Sequence, residues 1–215
     1  MEEWLRILAT AVCSYLIGSL NFAIIVSKLA IKTDIRELGS GNAGSTNAYR
    51  TLGPRLAILV IAGDILKGLA AVAVGLLIMG NLGKIIAGAF AVLGHAFPAY
   101  FGFKGGKGVL TTASIMLMVD WRVALIAISV FVVLVVPTRY VSLGSMIAAA
   151  CLPFIASFFY FGTPEFIPYI SVTTLFSGII IFLHRANIVR LIQKRESKFS
   201  FSRKPSDGGA SNPKN

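Results

Sequence analysis

Long apolar runs alternate with short polar loops along this chain of 215 residues. A helix needs about 20 apolar residues to span a bilayer, because each backbone polar group must be hydrogen-bonded within the segment. Four runs meet or approach that length: residues 4–26, 56–79, 141–161 and 166–183. The pattern therefore predicts an all-α integral membrane protein.

Two further apolar stretches are less regular. Residues 85–101 form a shorter run that contains His95 and Pro98, and residues 109–136 are interrupted by Asp120-Trp121-Arg122. A single helix over 109–136 would place two charged side chains near the bilayer centre, at about 2.5 to 3.5 kcal/mol each. We therefore expect two short helices with a turn at the membrane surface. This gives seven transmembrane helices, some of them short.

The basic residues are distributed unevenly among the predicted loops. The formal net charge is +11, with 20 Lys and Arg against 9 Asp and Glu. With the N-terminus outside and the C-terminus cytoplasmic, 16 of the 20 basic residues fall on the cytoplasmic side, as the positive-inside rule requires. Topology explains much of the charge, so the lipid bilayer is the expected partner and nucleic acid is not.

The chain divides into a membrane domain and a basic tail. Residues 1–197 contain all seven predicted spans, whereas residues 198–215 have the Ser, Gly, Pro and Lys composition of a disordered cytoplasmic tail. The first apolar run follows Met-Glu-Glu-Trp instead of a basic start, so we expect the first helix to be retained.

Four donor-rich segments would lie together at the cytoplasmic face: residues 39–50, 102–108, 138–145 and 184–187. Glycines let backbone N–H groups converge on one point, and Ser, Thr, Asn, Lys and Arg add donors, a combination suited to phosphate. A helix cap or a basic tight turn would explain only part of this composition. The four segments therefore predict a shared site for phosphorylated substrates.

Two nucleotide-binding motifs are matched only in part. Gly39, Gly41 and Gly44 have the spacing of G-x-G-x-x-G, but no strand precedes them. Residues 105–108 resemble a Walker A loop, but Gly108 stands where Ser or Thr would hold magnesium. We expect neither a nucleotide nor any other cofactor, and no metal.

Asp64, Lys67 and His95 fall within predicted spans and call for an explanation. Asp64 and Lys67 are three residues apart on one helix face, which favours a structural ion pair. For His95 two alternatives remain, a hydrogen bond to a neighbouring helix or contact with substrate.

The sequence of the loops is similar to that of a known family. The matching segments are Ser-Gly-Asn-Ala-Gly-Ser-Thr-Asn-x-x-Arg at 40–50, Gly-His-x-Phe-Pro followed by Gly-Phe-Lys-Gly-Gly-Lys-Gly-Val at 94–109, Arg-Tyr-Val-Ser-Leu-Gly-Ser at 139–145 and His-Arg-x-Asn-Ile at 184–188. Over about its first 195 residues the chain resembles the bacterial acyl-phosphate:glycerol-3-phosphate acyltransferases.

The resemblance implies a seven-span enzyme of the bacterial inner membrane with its active site at the cytoplasmic face. Such an enzyme transfers a fatty acyl group from acyl phosphate to the 1-hydroxyl of glycerol 3-phosphate, giving lysophosphatidic acid and inorganic phosphate, the first step of phospholipid synthesis. Acyl-CoA is not its direct donor, and a functional link to the enzyme that makes acyl phosphate is expected. In agreement, neither histidine belongs to the His-x-x-x-x-Asp motif of other glycerolipid acyltransferases.

The resemblance also assigns residues to roles. The expected catalytic residues are Ser40, Asn47, Arg50, Lys107, Ser142, His184 and Asn187. The expected substrate-binding residues are Gly41, Asn42, Gly44, Thr46, Lys104, Gly105, Gly106, Gly108 and Ser145. The first loop, with Ser142 and Ser145, would hold the acyl phosphate, while Arg50, Lys104 and Lys107 would bind glycerol 3-phosphate.

Several points stay open. The proton of the attacking hydroxyl could pass to a substrate phosphate oxygen or to His184. A covalent route through Ser40 or Ser142 is disfavoured because no adjacent base is apparent, and a transporter of a phosphorylated metabolite is the alternative from another class.

The chain departs from the family pattern at two places. Residues 18–23 lack the usual Pro and Gly and contain Asn21 instead. Ala186 stands where a Glu is usual, so an ion pair is expected to be missing there.

Overall fold

The computed structural model describes residues 2–200, which form helices joined by short loops without any strand. The helices are α1 (Glu3–Gly18), α2 (Phe22–Ile31), α3 (Ser45–Leu52), α4 (Pro54–Ala96), α5 (Val109–Val119), α6 (Trp121–Thr138), α7 (Val141–Tyr160), α8 (Phe166–Leu183) and α9 (Arg185–Ile192). Single 3-10 turns occur at Ile35–Glu37 and Ala99–Phe101. The all-α prediction is confirmed for this part of the chain. Most of the predicted tail, residues 201–215, lies outside the described residues.

Within residues 2–200, five helical segments are long and apolar enough to cross a membrane: Glu3–Ile31, Pro54–Phe101, Trp121–Thr138, Val141–Tyr160 and Phe166–Leu183. The helix α5 is apolar but shorter, at 11 residues. The protein is therefore a multi-pass membrane protein by length and composition.

The first segment is interrupted, although its sequence predicts one continuous run over residues 4–26. The helix α1 ends at Gly18 and α2 begins at Phe22. Between them, the Asn21 side chain accepts a hydrogen bond from the Ile24 amide at 3.1 Å and donates one to the Ala43 carbonyl at 3.2 Å. The polar Asn21 is thus fully buried as a helix cap that also fixes the loop before α3.

The helix α4 consists of two arms, residues 54–79 and 81–96, that fold back on each other at Gly80. Gly80 has a φ of 61° and a ψ of −141°, a backbone conformation that favours glycine. A Cβ atom on Gly75 would lie 2.2 Å from the carbonyl oxygen of Gly83, which shows how closely the arms approach. The two runs predicted at 56–79 and 85–101 are these arms.

Small residues allow α1 to pack closely against the second arm of α4. A Cβ on Gly18 would lie 2.2 Å from the Ala91 carbonyl oxygen, and one on Gly94 would lie 2.3 Å from the Tyr15 carbonyl oxygen. Such contacts let backbones approach, which is how helices associate in a medium that offers no hydrophobic driving force between them. The second arm is therefore held in place beneath the loop that follows it.

The predicted break between α5 and α6 is confirmed at Asp120. Its carboxylate accepts a hydrogen bond from the Arg122 amide at 2.8 Å, pairs with the Arg122 guanidinium at 2.8 Å and accepts one from the Tyr160 hydroxyl at 2.6 Å. These contacts cap α6 and satisfy a charge that would otherwise be costly in the middle of a span.

Candidate active site

The first loop is the first donor-rich segment, residues 39–50. The buried side chain of Asn47 holds its path. Its Oδ1 accepts a hydrogen bond from the Ser40 amide at 3.0 Å, and its Nδ2 donates to the carbonyls of Ile35, Leu38 and Asn42 at 3.3, 3.0 and 3.1 Å. A residue on α3 thus determines the path of the loop that precedes it.

Glycine is required where this loop passes Asn47. Gly39 has a φ of 58°, and a Cβ there would lie 2.4 Å from Asn47 Oδ1. Gly41 also has a positive φ, of 71°. The glycines therefore let the backbone turn tightly, with Ser40 and Gly41 exposed at the surface.

The second loop, residues 102–108, is attached to the end of α4 by hydrogen bonds from the backbone of the loop. The amides of Gly105 and Gly106 donate to the carbonyls of Ala96 and His95, each at 3.1 Å. A Cβ on Gly106 would lie 2.2 Å from His95 Nε2 and 2.6 Å from the Ala43 carbonyl oxygen, so this glycine lets the two loops approach each other. The side chain of Lys107 then donates a short hydrogen bond to Asn187 Oδ1.

A buried cluster of polar groups lies beneath both loops. Lys67 Nζ lies 2.7 Å from Asp64 Oδ1, 2.8 Å from the Leu20 carbonyl oxygen and 2.7 Å from His95 Nδ1. The ion pair predicted for Asp64 and Lys67 is confirmed. Because a lysine ammonium only donates hydrogen bonds, His95 accepts one from the neighbouring arm of α4.

The remaining polar side chains come from the helices α7, α8 and α9. His184 ends α8, and its Nδ1 donates to the Ile180 carbonyl at 2.8 Å, because a carbonyl oxygen can only accept. Its Nε2 is therefore the acceptor nitrogen. Burial, and then the nearby positive charge of Lys107, lower the pKa of His184 to about 4, so the ring is neutral at pH 7.

The charge of Lys107 is also affected by its surroundings. The pKa of Lys107 is lowered to about 8 by burial, first, and by the positive charges of Arg190 and Arg50, against the opposing negative charge of Glu196. The Lys107 ammonium therefore loses its proton at a lower pH than an exposed lysine does. A bound phosphate would favour the charged form.

These side chains surround one cavity of about 1000 Å³. Thirteen of the sixteen residues predicted for the site line it: Ser40, Gly41, Asn42, Gly44, Thr46, Asn47, Arg50, Lys107, Gly108, Ser142, Ser145, His184 and Asn187. The cavity continues between α5, α6 and α7 along apolar side chains that include Leu110, Met116, Ile128, Phe131 and Leu152. One end of the cavity is thus rich in hydrogen-bond donors, and the other is suited to a hydrocarbon chain.

Three predicted binding residues do not line this cavity. The side chain of Lys104 is exposed, and its carbonyl accepts a hydrogen bond from Arg36 at 2.9 Å. Gly105 and Gly106 use their amides to hold the loop on α4. Lys104, Gly105 and Gly106 thus shape the second loop through their backbone hydrogen bonds.

Two charged residues that line the cavity, Arg190 and Glu196, are not among those predicted from the sequence. Glu196 is the only acidic residue between positions 166 and 200. A lone carboxylate within a strongly basic segment is the signal that could have drawn attention to it. Among residues 2–200, no group of three His, Cys, Asp or Glu side chains could hold a metal ion.

The fold and the cavity define a helical membrane protein that can bind anionic groups at one end of a cavity and an apolar chain at the other. The sequence model of the glycerol-3-phosphate acyltransferase family matches residues 8–194. The chain belongs to this glycerol-3-phosphate acyltransferase family.

Relatives and solved structures agree with this assignment. Glycerol-3-phosphate acyltransferases of Bacillus subtilis and Thermoanaerobacter pseudethanolicus are 45% and 42% identical over 87% and 88% of this chain, covering 94% and 93% of their own. The fold is also similar to crystal structures of PlsY (YgiH), an integral membrane glycerol 3-phosphate acyltransferase, at 34% identity over 90% of this chain. The TM-score is 0.82 for the glycerol 3-phosphate form and 0.79 for the lysophosphatidic acid form, with 96% and 95% of those chains covered.

Proposed function

We propose that this acyltransferase moves a fatty acyl group from acyl phosphate to the 1-hydroxyl of glycerol 3-phosphate. One observation carries the proposal: a single cavity joins a donor-rich end, with Arg50 and Lys107, to an apolar passage between α5, α6 and α7. Both substrates carry a phosphate, and only one carries a long hydrocarbon chain. The cavity offers each part of this pair a chemically matched surface.

The two phosphates are assigned to different sides of the cavity. The first loop, with Ser40, Gly41 and Thr46, together with Ser142 and Ser145 on α7, would hold the phosphate of the acyl donor. Arg50 and Lys107 would bind glycerol 3-phosphate, because a guanidinium and an ammonium recognise a phosphate dianion strongly. Asn47 supports the first loop instead of touching substrate, since its amide is used within the loop.

The reaction is a direct attack on an activated acyl group. The glycerol hydroxyl oxygen bonds to the carbonyl carbon, and the bond from that carbon to the phosphate oxygen breaks, so phosphate leaves with the electron pair. Orientation and stabilisation of the developing charge by Lys107 and the loop amides supply the acceleration.

The proton of the hydroxyl passes to the departing phosphate. His184 offers Nε2 as a hydrogen-bond acceptor that aligns the hydroxyl, but its pKa of about 4 makes it a weaker base than phosphate. Because the glycerol hydroxyl attacks the acyl group directly, the reaction needs no covalent intermediate on Ser40 or Ser142.

The proposed topology has seven spans, formed by α1 with α2, the two arms of α4, and α5 to α8. The N-terminus would lie outside and the C-terminus in the cytoplasm of a bacterium, with the active site at the cytoplasmic face of the inner membrane. This arrangement follows the distribution of basic residues. It would also place the site next to an enzyme that supplies acyl phosphate.

Purified protein in lipid nanodiscs tests the reaction directly. Inorganic phosphate should be released from palmitoyl phosphate only when glycerol 3-phosphate is present, with lysophosphatidic acid formed in equal amount and without added divalent metal. Palmitoyl-CoA should not replace palmitoyl phosphate. A folded sample that forms no lysophosphatidic acid, or that requires acyl-CoA, would overturn the proposal, whereas movement of glycerol 3-phosphate across vesicles without acyl transfer would favour the transporter alternative.

Two lysine variants make the assay specific to the site. Lys107→Met removes one of the cations that line the cavity and should raise the KM for glycerol 3-phosphate. Lys84→Met is the matched control, because Lys84 lies beside the Gly80 turn at the opposite end of the second arm of α4. Equal effects of the two changes would contradict the placement of the site.

A further inference from the structure

The C-terminal strap, residues 196–199, lies across the wall of the cavity. Arg50 Nη2 donates a hydrogen bond to the Ser197 carbonyl at 3.2 Å, and the Phe199 amide donates one to the Arg139 carbonyl at 2.7 Å. The strap is thus attached both to α3 and to the loop before α7, and its residues Glu196 and Ser197 line the cavity.

Glu196 is the residue of the strap that enters the site. Its Oε1 accepts hydrogen bonds from Ser142 Oγ at 2.7 Å and Asn187 Nδ2 at 2.6 Å, and its Oε2 accepts one from Arg190 Nε at 2.8 Å. The carboxylate side chain is only 9% exposed. A single acidic group thus joins α7 to α9 at the donor-rich end of the cavity.

These contacts determine which way the Asn187 amide points. A lysine ammonium can only donate and a carboxylate can only accept, so Oδ1 of Asn187 must face Lys107 and Nδ2 must face Glu196. The amide in turn holds the Lys107 ammonium in place. Without a carboxylate at this point, Nδ2 of Asn187 would lose its acceptor, and Lys107 alone would hold the amide.

We propose that Glu196 is a positioning residue of the acyltransferase site, which holds Asn187 and Ser142 and, through Asn187, orients Lys107 toward the substrate phosphate. The inference rests on the proposed function. Glu196 acts from the cavity wall, since about 1000 Å³ remains open with the carboxylate in place.

Glu196 also acts on the charge of Lys107. The charged and titratable groups facing Lys107 are Arg50 on α3, His184 at the end of α8, Arg190 on α9 and Glu196 on the strap. The two arginines lower the pKa of Lys107, whereas Glu196 raises it. Loss of this negative charge should therefore move deprotonation of Lys107 to lower pH.

The experiment compares Glu196→Gln and Glu196→Asp with wild-type protein in the palmitoyl phosphate assay. In Glu196→Gln we expect kcat/KM to fall between about tenfold and a hundredfold, as for other misplaced catalytic groups. The alkaline limb of the pH profile of kcat/KM should move to lower pH. Glu196→Asp restores the charge and should recover part of the activity and the wild-type pH profile. The matched control is Glu165→Gln, which removes an exposed glutamate before α8 and should change neither quantity.

A second measurement does not depend on acyl transfer. The pH dependence of reductive methylation at Lys107, followed by mass spectrometry, reports the pKa of this lysine, which should be lower in Glu196→Gln and unchanged in Glu165→Gln. An unchanged pH profile of Lys107 methylation in Glu196→Gln overturns the inference about Glu196. A wild-type protein that is inactive with palmitoyl phosphate overturns the proposed function instead, and the methylation result can still be read. A higher kcat/KM in Glu196→Gln would also overturn the inference about Glu196, because the carboxylate would then compete with the substrate phosphate.

Discussion

Replacement of Asn47 by aspartate tests whether one buried amide maintains the first phosphate loop. Aspartate has nearly the volume of asparagine and keeps an oxygen for the Ser40 amide, which Asn47 Oδ1 accepts at 3.0 Å. It loses the Nδ2 donors that serve the carbonyls of Ile35, Leu38 and Asn42. The change therefore removes hydrogen bonds while leaving the packing almost intact.

The expected magnitude follows from the number of donors. An amide has two N–H bonds, so Asn47 contributes two full hydrogen bonds shared among three carbonyls. At about 1 to 1.5 kcal/mol each, their loss removes about 2 to 3 kcal/mol from the closed loop. Since about 1.4 kcal/mol corresponds to a factor of ten, local opening should increase between about 30-fold and about 140-fold. A carboxylate facing buried carbonyls can only add to this effect.

Hydrogen exchange in nanodiscs measures the opening of this loop. The amides of Leu38, Ser40 and Gly41 should exchange faster by that factor, while amides in the middle of α8 keep their wild-type rates. Acyl transfer should fall in parallel, because the loop no longer holds the donor phosphate. Asn42→Ala is the control for exchange, since only the backbone of Asn42 contacts Asn47. Wild-type exchange and activity in Asn47→Asp would refute the reasoning.

Two further predictions concern charged groups. The value of kcat/KM should fall as pH rises through about 8, because the cation of Lys107 is present below its pKa and lost above it. A bound phosphate should shift the alkaline limb of the kcat profile to higher pH. A kcat/KM that stays constant up to pH 9.5 would contradict this role of Lys107. Lys67→Met should lower stability by about 3 to 5 kcal/mol, because it leaves the buried carboxylate of Asp64 without its partner. Thermal unfolding should show partial recovery when Asp64→Asn is added, and a double variant no more stable than the single one would count against an ion pair.

Much of the site could be predicted from the sequence because membrane topology limits where loops can meet. Lys107 and Asn187 are 80 residues apart, yet their side chains are in direct contact. Alternating spans bring alternate loops to the same face, so donor-rich segments on that face are neighbours before any contact is known. The same reasoning predicts the Asp120 break, since a charge in mid-span is costly.

The roles of individual side chains could not be predicted in the same way. Lys104 and Lys107 are equivalent by composition, but only Lys107 lines the cavity. The difference arises because Gly105 and Gly106 are hydrogen-bonded to the end of α4, which sets the path of the loop between the two lysines. Likewise, the sequence predicts Asn47 as a site residue but does not predict that its buried amide is hydrogen-bonded within the first loop.

Ala186 departs from the family pattern, but a carboxylate is present close to α9 in the folded chain. The usual glutamate is missing at position 186, and the sequence therefore predicts that an ion pair is lost. No carboxylate is present at Ala186, but further along the chain Glu196 pairs with Arg190 at 2.8 Å and accepts a hydrogen bond from Asn187. A buried donor left without an acceptor costs about 1 to 3 kcal/mol, so the Glu196 carboxylate stabilises this end of the site by accepting hydrogen bonds from Ser142, Asn187 and Arg190.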